Sequence, residues 1–112
     1  MNQIEAHPVL VVELPVPHGR EDEWNQWYHE SHIPDVLAKV DGALTSRRYR
    51  ILAGDDEYSY LVIHEFETEE QLRRYYDSTV VSDRWEEYHA LWGVPARFRR
   101  RAFAPVWAEG GK

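Results

Sequence analysis

Apolar, β-branched residues first cluster at Val9–Leu14 (VLVVEL), a run that ends at Pro15. Its length and composition predict a buried strand. Pro15 to Gly19 follows as a loop. From Arg20 to Ser31 the period changes. At about 100° per residue, Trp24, Trp27, Tyr28 and Ser31 fall on one side, which predicts a helix with an aromatic face. Pro34 interrupts this pattern, because the residue before a proline avoids the α region. Alternatively Pro34 opens a second short helix to Val40, with Asp41 and Gly42 as the turn that ends it.

Ala43–Leu52 reads as a second strand, and Ala53–Glu57 as a Gly-containing hairpin loop. Tyr58–Phe66 alternates most clearly. Tyr58, Tyr60, Val62, His64 and Phe66 share one face, and Ser59, Leu61, Ile63 and Glu65 the other. Thr68-Glu-Glu-Gln71 has the spacing of a capping box and predicts a helix to about Asp77. Ser82 is expected to cap a further helix reaching Leu91 and ended by Gly93. Trp85, Tyr88, His89 and Trp92 form its aromatic face. Ala96–Trp107 reads as the last strand.

The order β-α-β-β-α-β predicts an α+β, ferredoxin-like domain, with a four-stranded antiparallel sheet and helices on one face. It occupies residues 1–108 as one domain, and 109–112 are expected to be a flexible tail. The other sheet face needs a cover. A second copy of the same sheet is the simplest one, so a homodimer is expected.

The 112 residues carry 13 basic and 20 acidic side chains, a formal net charge of −7. That balance argues against nucleic acid and anionic membranes as partners. The absence of cysteine excludes disulfides, thiolate catalysis and Cys-ligated metals. Met1–Ala6 lacks the basic start and apolar run of a signal peptide. No apolar stretch approaches the roughly 20 residues that span a bilayer. A cytoplasmic protein is expected. Five Trp and seven Tyr change the picture most. They imply an aromatic-lined cavity or an aromatic interface.

The segment from Trp24 to Leu37 holds the best candidate chemistry. His32 follows Tyr28 by four residues, flanks the aromatic face and sits where Pro34 breaks the helix, close to Asp35. A histidine there suits general acid/base work near neutral pH, with Asp35 setting its tautomer and the Tyr28 phenol beside the same substrate atom. The competing reading makes His32 a helix cap bonded to a backbone carbonyl. His29 points away from the rings and reads as solvent-facing. His29 and His32 resemble a metal pair, but no third ligand has diagnostic spacing, so no metal is expected. His64 lines the cavity if its strand face meets the helices, and a dimer interface if it does not. His89 and Trp92 reach the cavity from the helix end, and Trp85 reads as core. Among the arginines of the second and last strands, including Arg97, Arg48 is the inward candidate. The sequence contains no P-loop, GxGxxG or GxSxG motif, which argues against phosphoryl transfer, dinucleotide chemistry and serine hydrolysis.

The stretch Trp27-Tyr28, His32-x-Pro34 and Val36-Leu37, closed by Gly42, resembles the EthD-like members of the dimeric α+β barrel superfamily. The resemblance implies a ferredoxin-like monomer, a dimer whose two sheets form a barrel, and a pocket between each sheet and its helices. It maps the family's helix histidine onto His32 and its aromatic neighbour onto Tyr28. It implies chemistry without a cofactor, and no motif matches a haem-ligand histidine. The expected function is a dehydratase, cyclase or isomerase acting on an aromatic, polyketide-like or lactone compound. Trp27, Tyr60 and Trp92 would wall the pocket, with Arg48, His64 and His89 as further binding residues. The alternatives are a cofactor-free monooxygenase of phenols and a non-catalytic binding or structural dimer.

Overall fold

The computed structural model describes residues 2–15, 19–54, 60–92 and 99–111, without the side chains of residues 2 and 79–85. Strands β1 (Val9–Leu14), β2 (Ala43–Arg50), β3 (Tyr60–Phe66) and β4 (Arg99–Phe103) form one sheet. Their order is β2-β3-β1-β4, and every neighbouring pair is antiparallel. Helices α1 (Glu21–Trp27) and α2 (Ile33–Lys39) connect β1 to β2. Helices α3 (Glu69–Tyr76) and α4 (Thr79–Trp92) connect β3 to β4. This is the expected ferredoxin-like α+β fold, with each helical crossover built from two helices.

Register decides which side chains meet the helices. Leu10 pairs with His64, Val12 with Val62 and Leu14 with Tyr60, while Ser46 and Arg48 lie opposite His64 and Val62 from the other side. Leu10, Val12, Leu14, Val62, His64 and Phe66 are buried. The apolar ones share a single core with Trp24, Tyr28, Leu72, Tyr88 and Trp92. The face carrying Tyr60, Val62, His64 and Phe66 therefore meets the helices. The reverse face carries half-buried Val9, Val11, Leu61 and Ile63. On that face buried Glu13 pairs with Arg99, and with Arg101 at 3.5 Å.

Several boundaries differ from the pattern-based expectation. Helix α4 begins at Thr79, so Ser82 lies inside it rather than at its cap. Glu109–Gly110, expected in a flexible tail, pairs antiparallel with Asn2–Gln3. Backbone hydrogen bonding between the two ends, which no local pattern encodes, orders that segment. The loop through Val16–His18, the hairpin residues Asp55–Glu57, Tyr58 and Ser59, the stop at Gly93, and Ala96 and Arg97 lie outside the described residues, as does the Trp85 side chain.

Thr68 caps α3 by accepting from the Gln71 N–H at 3.2 Å, as the box predicts. Gly42 turns the chain between α2 and β2 at φ +81°, a left-handed conformation that favours glycine. A Cβ there would lie 2.3 Å from Gln71 Oε1 and 2.9 Å from Gln71 Cβ. Gly42→Ala is therefore expected to lower stability by more than about 1 kcal/mol. In urea melts the midpoint should fall with the slope unchanged.

Candidate active site

Glu21 to Lys39 is helical without a break. Between α1 and α2 lies a five-residue π turn, Tyr28–His32. Pro34 sits in the first turn of α2 and has no N–H to give the Glu30 carbonyl. The ladder widens instead, with the Ile33 N–H bonding the Tyr28 carbonyl five residues back. The interruption expected at Pro34 is thus a widening, and His32 has no helix end to cap. The wide turn also changes which rings meet. A regular α-helix would separate residues five apart by about 140°. Here Trp27 and His32 stack, with centroids 4.9 Å apart and planes inclined by 22°. His32 meets Tyr28 edge-on at 5.0 Å.

Arg48 reaches this cluster from β2. Its guanidinium carbon lies 4.4 Å from the Tyr28 ring centre, 4.6 Å from Trp24 and 5.3 Å from Tyr60. Its Nη1 donates to Asn25 Oδ1 at 2.8 Å and sits 3.1 Å from His29 Nε2. His29 is exposed, as expected, yet it holds the inward arginine in place. Asn25 and His29 are four apart on α1 and the π turn, so their shared helix side was visible as spacing. What they hold was not, because Arg48 arrives from another element. Burial lowers the Arg48 pKa, and Tyr28, Tyr60 and Tyr88 act in the opposite direction.

Three phenols differ in state. Tyr28 is buried, and loss of hydration raises its pKa well above the ordinary 10.0, with Arg48 opposing the shift. Tyr88 accepts the Trp24 indole N–H at 2.9 Å, and burial pushes its pKa up to about 12. The Tyr60 hydroxyl contacts the Glu21 carboxylate, and that contact is the main cause raising its pKa. Near neutral pH each phenol therefore keeps its proton, and Tyr60 and Tyr88 donate theirs to Glu21 and the Pro15 carbonyl.

The structure places the remaining candidates unequally. Trp92 is buried, 6.0 Å from Trp27, with the Arg20 guanidinium over its ring. His64 is buried on the helix-facing side, and its Nδ1 lies 2.8 Å from Ser46 Oγ. That partner emerges only from the β2–β3 register. His89, expected on the buried aromatic face, is exposed, because it is turned about 100° from buried Tyr88. Asp35 is half-buried and pairs with Lys39 at 2.6 Å, so it has a cation of its own. Among the described residues no three His, Asp or Glu side chains converge as a metal site requires. No helix among them is long and apolar enough to cross a membrane.

An aromatic cluster between helices and a four-stranded sheet of this order defines a ferredoxin-like α+β protein. Solved structures share the fold. An EthD family protein from Bacillus halodurans matches at TM-score 0.64 and 12% identity, over 89% of this chain and 99% of its own. A DABB family protein with a ferredoxin-like fold from Mesorhizobium loti matches at TM-score 0.62 and 17% identity, over 91% and 99%. A haem degrader from Mycobacterium tuberculosis matches at TM-score 0.61 and 20% identity, over 92% and 99%. Candidate monooxygenases from Shewanella loihica and Deinococcus radiodurans match as well. At these identities the likeness is one of fold, and it is the EthD-like fold the sequence resembles. The family model described as "Domain of unknown function (DUF4286)" matches residues 8–91, and the chain belongs to that family. No curated protein matches it.

The raised Tyr88 pKa carries a stability consequence. A phenol that ionises near 10.0 when unfolded and near 12 when folded favours the fold fully below pH 10. That contribution is lost as pH rises from about 10 to about 12, by ~3 kcal/mol for two pH units. Denaturant melts between pH 9 and about 11.5 should show the fall. In Tyr88→Phe the slope against pH should flatten.

Proposed function

We propose that the protein is a small-molecule enzyme in which His32 moves a proton on an aromatic, polyketide-like or lactone substrate, as a dehydratase, cyclase or isomerase without a cofactor. The observation that carries this reading is the placement of His32. A π turn holds an acid/base residue against Trp27 and Tyr28, and such turns are frequent at functional sites. Trp27, Tyr60 and Trp92 supply flat apolar walls for a planar substrate. The protonated Tyr28 hydroxyl or Arg48 steadies oxygen charge as it develops, and Asp35, which also pairs with Lys39, or a backbone carbonyl sets the imidazole tautomer. Arg48, buried His64 and exposed His89 take the flanking binding roles.

A second reading is supported by the monooxygenases among the structural neighbours. Here the same pocket oxygenates an electron-rich phenol, and turnover stops without dioxygen. Anaerobic assay separates the two. The EthD-like fold and the half-buried aliphatics Val9, Val11, Leu61 and Ile63 on the reverse face of the sheet support a homodimer in either case. Light scattering at micromolar concentration should give the mass of two chains, and a single-chain mass would remove the barrel.

The proton-transfer reading is tested by a thermal-shift screen of small aromatic, polyketide-like and lactone compounds on wild type and His32→Ala. A ligand at about 100 times its Kd should stabilise wild type by roughly 2.7 kcal/mol and the variant by less. With a substrate in hand, His32→Gln should lower kcat by about 10²–10⁴ and remove one limb of the pH–rate profile. A folded His32→Gln protein with unchanged turnover would assign the histidine to structure.

A further inference from the structure

Arg48 is the group whose chemistry is incomplete. A guanidinium has five N–H donors in a planar fork. Its Nη1 end is committed to Asn25 and His29. Its Nε and Nη2 are both buried, and neither has a hydrogen-bond partner. These two nitrogens form one edge of the fork, the edge that takes both oxygens of a carboxylate side by side. The surrounding rings attract the cation through their faces. They offer no lone pair to an in-plane N–H. Among the described residues no carboxylate pairs with Arg48, although Glu21, Glu30 and Asp35 all lie on the same helical stretch. A buried donor pair left unmade is costly, so its retention in a native fold calls for a reason.

We infer that the Nε/Nη2 edge of Arg48 is a subsite for a planar organic carboxylate, so that the ligand of this pocket is an aromatic or unsaturated acid rather than a neutral compound. The inference rests on the reading of the aromatic cluster as a ligand pocket, and it adds the anchor. Asn25 and His29 grip one end of the guanidinium and leave the other free to bind. Trp24 and Tyr28 pack against the cation and fix its plane. In this structure the edge is closed to solvent, so the acid enters as a covering ring gives way. Of the three rings around the guanidinium, Tyr60 is half-buried and stands farthest from it. Arg48 and His32 each lie within 5.0 Å of the Tyr28 ring, so the anchor and the acid/base candidate share one aromatic cluster.

The test compares benzoate with benzamide, a neutral compound of the same shape, at matched ionic strength. Calorimetric titration of wild type should show benzoate binding at least tenfold more tightly. Arg48→Lys, which keeps the charge and loses the fork, should lower benzoate affinity at least tenfold and leave benzamide unchanged. Nitrogen–proton spectra give a readout that needs no stable variant. One arginine Nε–H resonance should move downfield with benzoate and stay in place with benzamide. Equal affinity for the two compounds, no benzoate binding, or no moving Nε–H resonance overturns the subsite. The outcome is separable from that of proton transfer. Benzoate held through Arg48 with turnover unchanged in His32→Gln would leave the anchor and remove the proton step, and the converse result would do the opposite.

Discussion

The Trp24 indole joins the layers of this domain. It is fully buried, its N–H donates to Tyr88 on α4, and its ring packs edge-on against Tyr28 and Tyr60. One side chain thereby ties the first helical crossover to the second and both to β3. The Arg48 guanidinium rests on the same ring. The Trp24–Tyr88 bond satisfies an indole N–H that burial would otherwise strand. Its phenol in turn reaches the Pro15 carbonyl at the end of β1, at 3.4 Å. The candidate site is built directly on this core rather than beside it.

Two local devices build the candidate site on this core. Pro34 removes one helical donor, and the π turn that results rotates His32 onto Trp27. A charged side chain from a strand then enters the apolar layer between helices and sheet. A leucine at position 48 would fill the same layer without an unmade hydrogen bond, and a regular helix would avoid the widened turn. Both departures from local rules fall within one ring of Tyr28.

The charged groups divide by face. On the helix side, Arg48 and the phenols share a region where burial raises the Tyr pKa values and lowers that of Arg48. On the reverse side, Glu13 is buried against Arg99 and Arg101, and Glu65 takes Thr45 and His7 as partners. That face mixes ion pairs with half-buried aliphatics. The helix side is instead an apolar, largely aromatic layer that two arginines enter, Arg48 against Trp24 and Tyr28 and Arg100 against Tyr76.

Strand periodicity, the capping box at Thr68, the turn at Gly42 and the EthD-like motif made the fold legible in the sequence. These features are local, and each follows from backbone chemistry within a few residues. The helix-facing side of β3 was legible only as an alternative, since alternation separates two faces without saying which one meets the helices. Trp27, Tyr28, His32 and Arg48 were named from spacing, but the contacts among them were not. Stacking of His32 on Trp27 depends on a hydrogen-bond shift inside one helix. The Asn25–His29 grip on Arg48, the Ser46–His64 pair and the bond from Trp24 to Tyr88 join residues 18 to 64 positions apart. Only tertiary structure decides such pairs, because strand register and helix docking choose the partners after local conformation has been set. His89 illustrates the same limit: the helical wheel put it on the aromatic face, and packing of α4 left it at the solvent edge.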